Sequence, residues 1–484
     1  MTTVIQIRPI VYSLGLMLCA LASGMVIPGL VDFFDGDSDW RPFLASSVLT
    51  FFIGGLMVLF AMQKGPTKLG IREGFLLTTL SWIVIAGFAA IPFVGVGLTF
   101  TDGYFEAMSG LTTTGSTVIV GLDKLPRGIL LWRAILNGLG GLGIIAMAII
   151  MLPFLRVGGM QLFMTESSDK SEKILPRAYE LMRAIFLLYA ALIVACIVSY
   201  VVLGMSIFDA VCHGLATIAT GGFSTKDSSF GFFANPGLEW AAILFMILGA
   251  LPFVVMIKAV RGEPMALARD AQVQGFLSFL VAVWLILALW LTATKGIPFV
   301  ESLRLAAFNV TSVVTTTGFA TTDYTAWGPF AVGLFFLLTF VGGCSGSTSG
   351  AIKIYRLQVA GVLTRSHFLH LISPSRVVTL VYNGRRLPED VPFSVVAFLA
   401  IYLATTGLFT VVLAAMGLDL VTSLSAVATA IGNVGPGLGD VVGPAGSFAP
   451  LPAAAKWVLS LAMMLGRLEL FTVLVLLRPE FWRS

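Results

Sequence analysis

The sequence predicts an all-α polytopic membrane protein, with two N-terminal spans followed by four helix–pore loop–helix repeats around a central pore. Three observations carry that expectation. The 484 residues are 57% hydrophobic and only 11% charged, with a mean hydropathy of +0.97. Soluble domains carry about a quarter charged residues, so a water-soluble enzyme is excluded. Apolar runs of about 20 residues, the length that crosses hydrocarbon as a helix, recur from end to end. Four shorter Thr/Gly-rich segments alternate with those runs in a constant order.

The first run, Ile10 to Leu30, follows Arg8 and includes Ala20 and Ala22, a pair that mimics a signal-peptidase site. Its length suits a retained span better than a cleaved signal. A second span covers Phe43 to Met62. Unit one then uses Phe75 to Val96, the short segment Phe105 to Gly121, and Leu130 to Leu152. Unit two uses Ala184 to Leu203, Phe208 to Thr225, and Leu238 to Val260. Unit three uses Phe276 to Thr294, Leu303 to Thr322, and Phe330 to Tyr355. Unit four uses Phe393 to Met416, Val421 to Gly439, and Ala454 to Leu477. The expected division is residues 1–70 for the two leading spans, then repeats over 71–160, 161–265, 266–391 and 392–484. Ten long spans result.

Charge sets the threading, because cytoplasmic loops collect Lys and Arg. An inside N-terminus places 20 of the 29 Lys and Arg on one face, among them Lys64, Lys68, Arg156, Lys170, Lys173, Lys353, Arg356, Arg385 and Arg386. The acidic residues Asp32, Asp35, Asp37 and Asp39 fall outside, and so does every short Thr/Gly segment. The four cysteines, Cys19, Cys196, Cys212 and Cys344, lie in apolar stretches without C-x-x-C spacing, which indicates neither a disulfide framework nor a zinc site. His213, His367 and His370 are too scattered for a metal cluster and read as structural residues.

The short segments carry the chemistry. In register they are Thr112-Thr113-Thr114-Gly115-Ser116, Ala219-Thr220-Gly221-Gly222-Phe223, Thr315-Thr316-Thr317-Gly318-Phe319 and Gly432-Asn433-Val434-Gly435-Pro436. Each is too short to span and ends in residues that break helices. Non-helical backbone at membrane depth is stable only when buried in protein or lining a water-filled cavity. Four half-helices returning as extended chain around one axis would present carbonyl dipoles able to replace the hydration shell of a monovalent cation. Glycine suits the fourth position because a strand that aims successive carbonyls inward needs backbone angles that side chains penalise. Thr and Gly also ease helix packing in membranes, but four equivalent segments on one side point to the pore.

Two further features stand out. Phe340 to Lys353 holds Gly342, Gly343, Gly346 and Gly350 among Ser345, Ser347, Thr348 and Ser349. Each glycine weakens a helix by roughly 1 kcal/mol, so a broken helix with a looping middle is expected. Arg467 is expected to be the single basic residue deep in a span and to face the cavity near that loop. Glu469, two residues on, lies on another helix face and is not expected to pair with it. Glu106, Asp209, Glu301 and Asp419, near the outer starts of the short segments, are expected to be solvated or to cap half-helices. As an acidic vestibule they would also concentrate cations.

This ordered motif set, T-T-T-G, A-T-G-G-F-S-T, T-T-T-G-F and I-G-N-V-G-P-G, resembles the Trk/Ktr potassium-uptake superfamily over nearly the whole chain. The two extra N-terminal spans and Gly466-Arg467-Leu468-Glu469 are similar to its TrkH branch. The resemblance implies a selectivity filter for potassium, the transported ion, built by Thr113, Thr114, Gly115, Thr220, Gly221, Gly222, Thr316, Thr317, Gly318, Asn433, Val434 and Gly435. It implies a gate formed by Gly342, Gly343, Gly346, Ser347, Gly350 and Arg467. It also implies a homodimer in the bacterial inner membrane, in contact with lipid and with both termini cytoplasmic. The implied partner is a cytosolic ring of Rossmann-type nucleotide-binding regulatory subunits; no organic cofactor and no nucleic acid are expected. Only the fourth segment keeps the V-G-x-G form. The excursion from Lys353 to Val391 suits such docking, and Val377 to Leu387 reads as a hairpin around Asn383-Gly384.

Two other classes are weighed. A coupled secondary transporter with alternating access would need midplane acids, and none of the four repeats shows one. An intramembrane hydrolase would need a nucleophile–base or metal pair within spans, and none is seen. The G-x-G-x-x-G match from Gly138 to Gly143 lies inside an apolar run with no preceding strand and reads as close helix packing.

Overall fold

The computed structural model describes residues 5–62, 70–151 and 174–483. Lys64, Lys68, Arg156, Lys170, Lys173 and the expected division near residue 160 lie outside them. The described residues are mostly helical. Two leading helices, Ile7–Asp35 and Trp40–Ala61, pack on each other and on the first repeat. They are apolar all round, with Phe51, Phe52 and Phe60 exposed, as suits a surface whose solvent is lipid.

Each repeat then contributes a long helix, a short pore helix and a returning helix. The pore helices are Phe100–Leu111, Ile207–Ile218, Phe299–Val314 and Leu420–Gly432. Three begin at side-chain caps: Thr99 accepts from the Asp102 amide, Ser206 from Asp209 and Asp419 from Thr422. Each cap satisfies an amide that the first turn leaves unpaired. Asp419 therefore caps its helix, as expected, whereas Asp209 lies in the first turn behind the Ser206 cap and accepts from Ser206 Oγ (2.7 Å) and Thr225 Oγ1 (2.6 Å). Glu301 is exposed, 4.0 Å from Arg304.

Seven helices among the described residues are long and apolar enough to cross a membrane, and up to nine if each of two bent pairs counts as one span. The continuous helices expected over Leu238–Val260 and Ala454–Leu477 are not formed. Pro236–Ala250 meets Phe253–Val260 at 102°, and Ala453–Arg467 meets Phe471–Leu477 at 104°. Pro252 lacks an amide and breaks the first. Glu469 and Leu470, both with φ of +56°, turn the second. The third returning span is broken as expected: helix Pro329–Leu338 gives way to an irregular loop, and helix Ile354–Ile372 follows. A short parallel pairing of Val341 with Ile352 and Gly342 with Lys353 draws the ends of that loop together. The third returning span contributes only the short apolar helix Pro329–Leu338 before its loop, so up to nine of the ten expected spans have the length and composition of a crossing among the described residues.

The hairpin beyond forms where expected, though short. Val381–Tyr382 pairs with Arg385–Arg386 across Asn383 and Gly384, whose φ values of +49° and +74° suit a type I′ turn. Apolar side chains bury mainly in two clusters, one joining repeats two and three, the other joining one and four. Between them lies the site.

Candidate functional site

The four pore helices end alike. A residue in the left-handed region follows each helix: Thr113 at φ +50°, Thr220 at +51°, Thr316 at +58° and Asn433 at +53°. The next amide reaches back five residues: Thr114 to the Ser109 carbonyl (2.8 Å), Gly221 to Ala216 (2.8 Å), Thr317 to Ser312 (2.8 Å) and Val434 to Thr429 (3.0 Å). This is the bonding of a Schellman stop. A glycine with positive φ comes next in every repeat: Gly115, Gly222, Gly318 and Gly435. Asparagine tolerates the left-handed region, but β-branched threonine is strained there by about 1–3 kcal/mol. Three copies of that strain in one register mark a conformation imposed by the surroundings.

The glycines close a ring. A side chain on Gly115 would meet the Gly221 carbonyl oxygen at 2.5 Å, and one on Gly222 would strike the Thr317 carbonyl. One on Gly318 would strike that of Val434, and one on Gly435 would meet that of Thr114 at 2.8 Å. Each repeat thus lays the carbonyl before its glycine against the glycine of its neighbour, in the cyclic order one, two, three, four. All four glycines line one outer recess of about 70 Å³.

Side chains hold the ring from behind. Asn433 Nδ2 donates to Thr114 Oγ1 (2.9 Å) and to the Met463 carbonyl (2.9 Å), while Ser116 Oγ donates to the Gly435 carbonyl (2.8 Å). Asn137 donates to the Gly110 carbonyl (2.9 Å) and accepts from the Phe223 amide (3.3 Å). The hydroxyls of Thr114 and Thr317 bond to those of Thr112 and Thr315 (2.8 Å each). His213 is a structural residue: its ring nitrogens bond to the Asp209 carbonyl (2.8 Å) and Ser224 Oγ (3.0 Å).

Two expectations require correction. Glu106 is neither solvated nor a cap; it is fully buried and paired with Arg133 at 2.7 Å. Its carboxylate also accepts from Thr117 Oγ1 (2.9 Å) and the Val118 amide (3.0 Å). Arg133 further donates to the Ser224 carbonyl (2.7 Å) and lies over the Phe223 ring at 4.2 Å. Arg467 is therefore not the single basic residue deep in a span. A carboxylate and a guanidinium that both fall at membrane segments are a legible signal, since neither is stable there without a partner.

The loop from Gly342 to Gly350 lies against the inner end of the ring. Thr348 Oγ1 bonds to Thr220 Oγ1 (3.2 Å) and to the Ile218 (3.0 Å) and Gly249 (2.9 Å) carbonyls. The Gly350 amide donates to Thr316 Oγ1 (2.7 Å), and the Ala351 amide to the Gly432 carbonyl (2.9 Å). The Gly343 amide donates to Ser349 Oγ (2.8 Å) and the Cys344 amide to the Ala250 carbonyl (3.0 Å). Gly346 turns at φ +79° and accepts from the Phe253 amide (3.0 Å), while Ser347 Oγ bonds to the Cys344 carbonyl (2.7 Å). Arg467 donates to Thr113 Oγ1 and to the Thr348 carbonyl, both at 2.6 Å. The loop and Arg467 together touch the inner end of every strand. Glu469 pairs with Arg356 (2.6 Å), not with Arg467. Arg356 and Lys353, placed in an inner loop by charge alone, are buried beneath the ring.

Comparison with known proteins agrees with this geometry. Residues 41–484 match the family model for TrkH, described as a cation transport protein. The Trk system potassium uptake protein TrkI of Halomonas elongata is 47% identical over 479 residues, covering 98% of this chain and 97% of that one. The Trk system potassium uptake protein TrkH of Escherichia coli (strain K12) is 36% identical, covering 99% of each. The crystal structure of the potassium transporter TrkH from Vibrio parahaemolyticus superposes with a TM-score of 0.91 at 34% identity, covering 99% of this chain and all of that one. These relatives are named for transport, not for an enzymatic reaction. The chain belongs to the TrkH family of cation transport proteins.

Proposed function

We propose that this chain takes up potassium across the bacterial inner membrane through a channel-like pore. In this reading the carbonyls around Gly115, Gly222, Gly318 and Gly435 are the selectivity filter, and the loop Gly342 to Gly350 with Arg467 is the gate. The carrying observation is the closed ring: four glycines at positive φ, each facing the carbonyl of the next repeat. A ring of backbone carbonyls compensates a monovalent cation for lost water without any carboxylate, and so favours a weakly hydrated ion over a strongly hydrated one. The potassium-uptake names of the relatives support the same ion.

In the same reading the repeats divide at residues 71–160, 161–265, 266–391 and 392–484, and both termini are cytoplasmic. The protein is a homodimer whose inner face docks a cytosolic Rossmann-type nucleotide-binding subunit that works the gate. The basic hairpin around Asn383-Gly384 supports that docking.

The test is flux in liposomes holding the purified chain, with potassium, rubidium, sodium and lithium compared. A channel passes potassium and rubidium down an imposed voltage with no counter-substrate. Strict dependence of potassium flux on a proton or sodium gradient would establish the coupled transporter instead.

A further inference from the structure

Two successive carbonyls of the intramembrane loop are each bonded by a buried cation. Arg467 donates to the Thr348 carbonyl at 2.6 Å, and the Lys353 ammonium donates to the Ser349 carbonyl. Lys353 is 8% exposed, Arg467 4%, and the two loop residues are buried. The nearby carboxylate of Glu469 pairs with Arg356 at 2.6 Å. Among the described residues, neither Lys353 nor Arg467 has a carboxylate within ion-pair distance. A buried cation held only by neutral oxygens is costly unless the oxygens are numerous and well aimed. Neutral oxygens stand along the inner end of the ring: the Thr113 hydroxyl accepts from Arg467, those of Thr220 and Thr316 bond to Thr348 Oγ1 and Ser349 Oγ, and the Thr348 and Ser349 carbonyls accept from Arg467 and Lys353. Neutral carbonyl and hydroxyl oxygens are the ligand set of a monovalent alkali cation, and a primary ammonium is close to potassium in size and charge.

We infer that the inner end of the ring holds a second cation site, and that in the closed protein Lys353 fills it with its own ammonium, alongside Arg467. The inference rests on the pore reading above and adds a ligand to it. Lys353 lies three residues beyond the loop and pairs through its backbone with Gly342 at the loop's other end. Its ammonium therefore ties the end of the loop to the chain that follows it, and loss of the Ser349 carbonyl removes one of the loop's anchors. A potassium ion arriving from the inner face competes for the same oxygens, and its binding releases Lys353 and loosens the loop. Inner potassium then raises the open fraction of the pore, and the loop closes when that site empties.

The experiment uses the full chain in liposomes, with rubidium tracer flux measured at a series of potassium concentrations at the inner face and a constant outer concentration. Wild-type flux should rise with inner potassium and saturate. Losing a charge-assisted hydrogen bond of this kind moves a two-state equilibrium by about tenfold or more, so Lys353→Met should show about tenfold higher flux at low inner potassium and a flat dependence on it. Lys353→Arg, which keeps the charge, should retain the dependence. Equal loss of the dependence in Lys353→Arg and Lys353→Met would show a merely structural lysine and overturn the inference. A Lys353→Met protein with the wild-type dependence would overturn it too. Should Lys353→Met fail to fold, the wild-type titration still decides, because flux indifferent to inner potassium refutes the competition. Discrimination between potassium and sodium supplied from the outer face, measured in the same liposomes, tests the filter separately; its absence in the wild type would sink the pore reading rather than the inner site.

Discussion

The guanidinium of Arg133 lies 2.7 Å from the carboxylate of Glu106, with the two side chains 1% and 0% exposed. Glu106 comes from the first pore helix and Arg133 from the helix that returns beside it. Through the Ser224 carbonyl and the face of Phe223, Arg133 also grips the strand just beyond Gly222. One ion pair thus fixes the outer parts of two repeats. Breaking such a pair leaves an uncompensated buried charge, which costs about 3–5 kcal/mol. Glu106→Gln and Arg133→Met should each lower the unfolding temperature in detergent markedly, and the double variant should recover much of the loss. Independent, additive losses would show that the two charges do not depend on each other.

The glycine ring predicts a selectivity phenotype. In Gly318→Val the new side chain would overlap the Val434 carbonyl, and in Gly435→Val it would crowd that of Thr114, each at a backbone angle that L-residues avoid. Both proteins should insert, yet their potassium-over-sodium flux ratio should fall toward unity. An unchanged ratio in Gly435→Val would remove that glycine from the filter.

Arg467 should act on leak and not on ion choice. Arg467→Ala removes two charge-assisted bonds that hold the loop, to Thr113 and Thr348. At about 1.5–3 kcal/mol each, their loss suffices for a tenfold or larger rise in basal potassium flux. Deletion of residues within 346–349 should raise flux as well and make it insensitive to a regulatory partner. The potassium-to-sodium ratio should stay near wild type, because the glycine ring does not include these groups. Lower flux on deletion, or altered selectivity without added leak in Arg467→Ala, would reduce the loop to a packing seam.

The hairpin offers a test of docking. Gly384 has φ of +74° in the turn, where valine is strained by about 1 kcal/mol or more. Gly384→Val should weaken recovery of a cytosolic nucleotide-binding protein in a pull-down with the folded transporter, while the ion preference of the leak persists. Undiminished recovery would place the contact elsewhere on the inner face.

Local features read reliably where a single residue type answers a single physical need. Asn383-Gly384 specifies its turn, the loop glycines forbid a regular helix, and Asp419 caps the helix it precedes. Glu469 does not bond Arg467, as expected, but for another reason: the helix stops at Arg467, and Glu469 turns out of it to meet Arg356. Pro252 is a weaker signal: Pro28 sits within an unbroken helix, and the span from Leu238 to Val260 is expected to be continuous although the chain bends at Pro252. Glu469 and Leu470 give no signal: neither residue favours a left-handed backbone, and the bend there comes from packing of the last span against the rest of the fold.

By itself the sequence determines a bundle of membrane spans, four pore segments and the glycine at the same place in each, because hydrocarbon thickness and backbone sterics act locally along the chain. The tertiary structure alone decides which groups meet. Glu106 is drawn from an expected vestibule into a buried ion pair, since Arg133 reaches it only when two helices pack. Thr113, Thr220 and Thr316 turn their hydroxyls onto the loop or Arg467 because four separate pore helices stop around one axis. Lys353, a loop cation by its place in the chain, lies under that axis since its loop folds back beneath the ring. Contacts between residues hundreds of positions apart, such as Asn433 with Thr114, depend on closure of the ring, and no local preference encodes that closure.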